Sequence, residues 1–353
     1  MIYSKLLRVA ASLFLLAIAI GFAVWLFRGT KWSRREGSDE AGPRLARAVL
    51  IKGLGVLWVV AGVLQAQPDM FTTDFYYLYP KTVMPSLLQL AAEDQPAWLM
   101  HLMHTGSHIW GTQPILFNWF VIILQAGLGI VLLAGGRRAV AWALRISIPW
   151  GLLVWIGGEG MGGIFESGGS FFIGWPGSAL LYAVAAIFAL LPETVWKTRF
   201  PVYLKTALGV WWLWMAWLQL KPNSDFWQAS GLMAVFGNAG TVKQPALLSY
   251  GVQQLALYVA DHAVLVNLIL GIIMLIIGVL HFLPSWSKWF LDVTFVWILW
   301  SWWFGQDFGT LFAGLGTDLN TAPVFLVITL AAWIGRVNLD QTQRPKLGVS
   351  GRV

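Results

Sequence analysis

The stretch NWFVIILQAGLGIVLLAGGRR, residues 118–138, decides the fold: an asparagine enters an apolar run, Gln125, Gly127 and Gly129 punctuate it, and two arginines end it. Crossing a hydrocarbon core of roughly 30 Å takes about 20 helical residues, and this run supplies them without the alternation of a membrane strand. NLILGIIMLIIGVL, residues 267–280, repeats it, placing Asn118 over Asn267 and Gly129 over Gly278. A spanning helix that occurs twice predicts a duplicated helical membrane protein.

Composition agrees. Hydrophobic residues make up 58% of the 353 positions, charged residues 11%, and mean hydropathy is +0.68, outside the balance of soluble domains. With no cysteine, disulfides, thiolate metal sites, iron–sulfur clusters and cysteine nucleophiles are excluded. The net charge of +7 comes from short loops between apolar runs, which is how topology is encoded and not how nucleic acid is bound.

A first span is expected over residues 9–27. It is too long for a signal peptide and ends in Arg28 instead of a small-residue cleavage site. The segment 28–52 carries Arg28, Lys31, Arg34, Arg35, Arg44, Arg47 and Lys52 and marks the cytoplasmic side. Further spans are expected near 50–66, 115–134, 146–158, 175–191, 205–220, 262–283, 289–304 and 320–335. Of the 23 basic residues, all but Lys5, Arg8, Lys81, Lys221 and Lys243 then fall inside, with the N-terminus outside and the C-terminus cytoplasmic. The expectation is an all-α integral membrane protein of about nine transmembrane helices. It has a leading helix and basic linker (1–48), two tandem four-helix bundles in parallel orientation (49–200 and 201–336) and a cytoplasmic tail (337–353).

The repeat extends beyond these helices. LQAQPD at 64–69 matches LQLKPN at 218–223, with Trp58 over Trp212. A gap-free alignment sets Trp150, Trp155, Gly158, Gly162, Phe165, Gly169 and Pro176 against Trp297, Trp302, Gly305, Gly309, Phe312, Gly316 and Pro323. Each unit therefore presents two outer segments. One is long and Pro-punctuated, 67–114 or 221–261, and suggests a lid at the membrane surface. The other is a glycine-rich turn, 157–169 or 305–316.

Glycine admits positive φ and close backbone approach, and irregular backbone at membrane depth survives only where protein or a water cavity shields it. The turn therefore reads either as a re-entrant pocket floor or as an exposed loop. Glu159, Glu166 and Asp307 are its candidate polar groups, Gly158, Gly162, Gly305 and Gly309 its glycines, and Trp155, Trp302, Phe165 and Phe312 its aromatic lining. Asp261 and His262 at a helix start read as a proton-handling pair or as a charged end. His101, His104 and His108 form one helical stripe that reads as metal or haem ligands or as histidines facing water, and His262 is matched to His108. Asn118 and Asn267 read as interhelical hydrogen-bonding groups. The 23 tryptophans read as an interfacial belt or as a cleft for a quinone-like ring, above all Trp211, Trp212, Trp214 and Trp217 with Trp297, Trp300, Trp302 and Trp303.

The first helix with its end (LWVVAG at 57–62 through Gln67, Pro68 and Asp69), the long outer segment, and the helix with Asn118, Gln125, Gly127 and Gly129 before a basic turn together resemble the DoxX/DoxD-like four-helix membrane proteins. Trp155 to Phe165 also resembles a WxxGEGxGGxF pattern of duplicated bacterial membrane proteins. The first resemblance implies an accessory or quinone-interacting subunit beside an extracytoplasmic or membrane oxidoreductase in the bacterial cytoplasmic membrane; the cofactor is left open, with quinone and haem both in view. The other functions in view are a small-molecule transporter or permease with its pathway between the repeats, and a structural or assembly protein.

Overall fold

The computed structural model describes residues 38–80, 85–165, 168–241, 244–283 and 288–342. The expected leading span at 9–27, Glu166 and the tail beyond 342 lie outside the described residues. Within them the chain is helical, with no strand.

Among the described residues thirteen α-helices follow in order: α1 (Ser38–Gln65), α2 (Thr73–Tyr76), α3 (Leu87–Ala92), α4 (Ala97–Thr112), α5 (Pro114–Ala134), α6 (Arg137–Gly157), α7 (Ser178–Leu190), α8 (Glu193–Trp196), α9 (Phe200–Leu220), α10 (Ala229–Thr241), α11 (Ala246–Leu280), α12 (Lys288–Phe304) and α13 (Thr321–Thr342). Four of them, α1, α5, α6 and α11, are long and apolar enough to cross a membrane. Their outward faces are apolar: Ile115, Leu116, Ile123 and Ile130 of α5 and Leu265, Ile269, Ile272 and Ile276 of α11 are all exposed. Contiguous exposed apolar surface on this scale marks a face that meets a membrane or another protein.

Packing follows the duplication. In the first half α1 packs on α5 and α7, and α6 packs on α5 and α7; in the second half α9, α11, α12 and α13 make the same four contacts. The halves join where α13 lies along α1 and against α7.

The most buried polar groups explain why these helices meet in this register. Gln65 Nε2 donates to Asn118 Oδ1 at 2.5 Å, and Asn118 Nδ2 donates back to the Gln65 carbonyl at 3.2 Å. Gln219 and Asn267 repeat the pair at 2.7 and 3.3 Å. An unmade bond of this kind in an apolar interior costs roughly 1–3 kcal/mol, so each clamp admits one register. At the next crossing, Gly129 meets the Val59 backbone and Gly278 meets that of Leu213, so both positions need the absence of a side chain. At the opposite ends, Lys52 Nζ donates to the carbonyls of Leu132 and Leu133, and the buried Lys205 donates to that of Leu283. Both lysines satisfy carbonyls that a helix end leaves open.

Several expected boundaries move. The helix expected at 146–158 begins at Arg137, and the basic linker is helical from Ser38. The span expected from residue 262 is the second part of the 35-residue α11, which continues upstream to Ala246 and is distorted at His262 (φ −127°, ψ 28°). The matching break in the first half is Gln113 (φ −148°, ψ 60°), where Pro114 removes a backbone donor and separates α4 from α5. Gln113 and His262 are therefore equivalent, and the match of His262 to His108 is corrected.

Candidate functional site

Helix α6 ends because Gly158 and Glu159 both turn their N–H groups back to the Val154 carbonyl, at 2.7 and 3.0 Å. The chain then makes a left-handed turn, with positive φ at Gly160 (55°), Met161 (56°), Gly162 (62°) and Gly163 (71°). The second copy repeats it at Asp307 (50°), Phe308 (52°), Gly309 (68°) and Thr310 (52°). For residues with a Cβ this conformation costs roughly 1–2 kcal/mol each, which is why the first copy is nearly all glycine. A methyl group at Gly162 would overlap the Pro176 carbonyl, and one at Gly309 would overlap Asp318 and Leu319.

The remaining motif positions anchor this turn to the following helix. Trp155 Nε1 donates to the Pro176 carbonyl at 2.6 Å, and Trp302 Nε1 to that of Leu319 at 2.7 Å. Pro176 therefore corresponds to Leu319, four residues short of Pro323. The gap-free alignment holds through the turn itself and fails beyond it, because the second loop is shorter by those residues.

Glu159 and Gln306 occupy the same place and diverge in chemistry. Gln306 Oε1 accepts from the Ala322 backbone at 2.9 Å while its amide donates to the Phe171 carbonyl at 2.6 Å. Glu159 accepts from the Ala179 backbone at 3.1 Å, and its Oε1 lies 2.6 Å from Ser178 Oγ. Ser178 Oγ also lies 2.8 Å from Asp318 Oδ2, which comes from the second half. Asp318 in turn accepts from the Asn320 backbone. Burial, with the Asp318 charge adding, holds the Glu159 carboxyl well above the usual carboxylate range, and burial also raises that of Asp318.

Two cavities meet at this pair. A vestibule of about 390 Å³ is lined by both glycine turns with Glu159, Ser178, Asp318 and Asn320. A chamber of about 980 Å³ lies between α1, α3, α4, α5, α6 and α7, with Glu159 and Asp318 in its wall. The chamber is mostly apolar, and two of its buried polar groups, the Tyr182 hydroxyl and Gln125 Oε1, have no hydrogen-bond partner among the described residues.

The equivalent positions in the second half carry Phe325 for Tyr182, Met274 for Gln125 and Met215 for Ala61. There Trp297, Trp300 and Phe304 stack in series against Phe172 and Phe236. Trp297 is buried and Trp300 and Phe304 half-buried in this stack, while Trp214 and Trp217 are exposed.

The other expected site residues are distributed as follows. Gly158, Gly162, Gly305 and Gly309 shape the two turns. Trp155 and Trp302 brace them and line neither cavity, and neither do Phe165 and Phe312. Phe165 is exposed and sits edge-on to Trp98. Asp307 is buried with both carboxyl oxygens unpartnered among the described residues, and burial raises its pKa to about 7. Asp261 and His262 are exposed, and His262 stacks on Tyr258 at 4.2 Å. His101 and His108 are exposed and His104 half-buried, and among the described residues no group of three or more His, Cys, Asp or Glu is placed to hold a metal.

Asp318, Ser178, Tyr182 and Gln125 complete the site, and none of them stands among the site residues expected from sequence. Only Gln125 carries a visible signal, a lone amide inside an apolar run. Fold and site together define a helical protein with spans long enough for a membrane and a carboxyl pair joining a polar to an apolar cavity. No family model, curated protein or solved structure matches the chain.

Proposed function

We propose that this chain is an integral membrane protein that holds an amphipathic, mostly apolar small molecule of the quinone or prenyl-lipid class in the chamber of its first unit. The observation that carries this reading is the chamber itself: about 980 Å³, apolar, with Glu159, Gln125 and Tyr182 as polar groups. The second half fills the same positions with apolar side chains or an uncharged amide, so these groups exceed what the fold needs.

A bound ring or chain would lie among Ala61, Val121, Trp150 and Val154, with an oxygen-bearing head directed at the polar end. The DoxX/DoxD-like resemblance adds the role of accessory subunit to an extracytoplasmic oxidoreductase in the bacterial cytoplasmic membrane. The topology that goes with it has nine spans, the Lys52 and Lys205 ends of the helices cytoplasmic and the glycine turns outside. Two parallel bundles fit this arrangement because each repeat has an even number of spans.

The test is solvent extraction and mass spectrometry of the full chain purified in native-lipid particles, with an absorption spectrum of the same sample. A stoichiometric quinone or prenyl lipid is expected. The variant Ala61→Met, Gln125→Met, which installs the second half's own residues, should lower its occupancy several-fold. A chamber occupied only by bulk phospholipid in both proteins would refute the reading.

A transporter with its pathway at the seam is the second reading. It is favoured by one observation, the supply of Glu159 and Ser178 by one half and Asp318 by the other. Ligand-driven proton flux in proteoliposomes separates it from a stationary binding role.

A further inference from the structure

Ser178 Oγ stands within hydrogen-bonding distance of two carboxyl groups, at 2.6 Å from Glu159 and 2.8 Å from Asp318. A hydroxyl owns one proton and can donate to only one of them. For both contacts to be hydrogen bonds, the second carboxyl must itself donate to the serine oxygen, and so must be protonated. Two ionised carboxylates on one hydroxyl in a half-buried site would repel each other with no cation among the described residues beside them. Among the described residues no Lys, Arg or His lines either cavity, and the titratable groups facing the pair are each other and Tyr182.

We infer that Glu159, Ser178 and Asp318 form a proton-binding site which keeps one exchangeable proton at the junction of the vestibule and the chamber.

Three observations besides the pair itself support this. The buried Tyr182 hydroxyl, unpartnered among the described residues, lines the chamber beside the pair, placing a second hydrogen-bonding group where a ligand oxygen would lie. The vestibule gives the carboxyls a polar route outward, so the proton is exchangeable. Gln306 shows that an amide meets the structural demand at the Glu159 position, so the acid there serves something other than folding. The burial that raises both carboxyl pKa values acts in the same direction.

The inference deepens the binding reading above, since the proton would sit where a ligand's oxygen head arrives. It is tested without any ligand, by infrared spectroscopy of the full chain in lipid particles, titrated from acid to alkaline pH in H2O and D2O. The expected result is a carboxylic-acid C=O band at neutral pH that shifts in D2O and fades on alkalinisation. In an Asp307→Asn background, which removes the band that Asp307 itself gives near neutral pH, it should persist, vanish on adding Glu159→Gln and change on adding Asp318→Asn. Circular dichroism of Glu159→Gln checks folding, and the Gln306 geometry predicts that it folds.

A neutral-pH spectrum with no such band, or a band untouched by both Glu159→Gln and Asp318→Asn, overturns the proposal. So does a pair that is ionised at neutral pH and responds to added sodium or calcium. Because no ligand enters the measurement, an empty chamber would refute the binding reading and leave this one standing.

Discussion

At the residue scale, the same backbone shape is built from different chemistry in the two copies. The first uses Gly160, Gly162 and Gly163 for three of four left-handed positions, and the second forces Asp307, Phe308 and Thr310 into them. Such strain persists only where neighbours over-determine it, and here Trp302 and Trp303 grip Phe308. Asp307 carries a second penalty, being buried without a partner among the described residues. Its carboxyl titrates near 7 when folded, against 3.8 for an ordinary aspartate, so the folded state binds the proton more tightly. Its stabilising share is fully present below the unfolded value and is lost as pH rises through the folded one. Thermal stability in detergent should therefore fall between acid and mildly alkaline pH. Asp307→Asn should flatten that slope and raise stability on the alkaline side by about 1–3 kcal/mol, since asparagine is neutral and tolerates positive φ. An unchanged slope in the variant would show that Asp307 is not a source of it.

At the element scale, much was legible in the sequence. Asn118 and Asn267 stand out as amides inside apolar helices, and pairing between helices is the role the structure gives them. The glycine turn was legible as a conformational demand, since only a backbone needing positive φ concentrates glycine so heavily. Asp318 was not, because the four-residue difference between the loops moves it out of alignment and nothing local distinguishes an aspartate before a helix. The chamber was not legible either: a cavity is a property of what several helices leave unfilled, and Leu, Val and Trp read alike whether they fill a space or line one. The clamps offer the direct test of helix register. Asn118→Ala strands both Gln65 groups in an apolar interior and should cost about 2 kcal/mol in reversible unfolding. Asn267→Ala should cost a similar amount in the other half. A loss well under about 0.5 kcal/mol at both sites would place the register's origin elsewhere.

At the scale of the whole molecule, charge and burial tell one story. Lys52 and Lys205 close helix ends on one side, and the glycine turns with their carboxyl groups lie at the opposite ends of the same bundles. Topology reporters inserted after Arg35 and at the C-terminus are expected to read cytoplasmic, and one after Gly168 to read outside. A split between the first two would break the proposed orientation. The two halves share their helix contacts and differ at matched positions, where Ala61, Gln125 and Tyr182 of the chamber answer to Met215, Met274 and Phe325. Duplication supplies the reason, since one copy can keep the architecture sound while the other loosens toward a task.

That division extends to how the chamber is roofed. In the second half the outer helical segment joins its span within α11 through a kink at His262. In the first, the chain is cut at Gln113 and Pro114, and α4, which supplies Leu102, Ser107, Ile109 and Trp110 to the chamber wall, is a separate rod. Proline at the joint denies α4 a backbone bond into α5, whereas its sibling is only bent, so the two flanks of the molecule are hinged unequally.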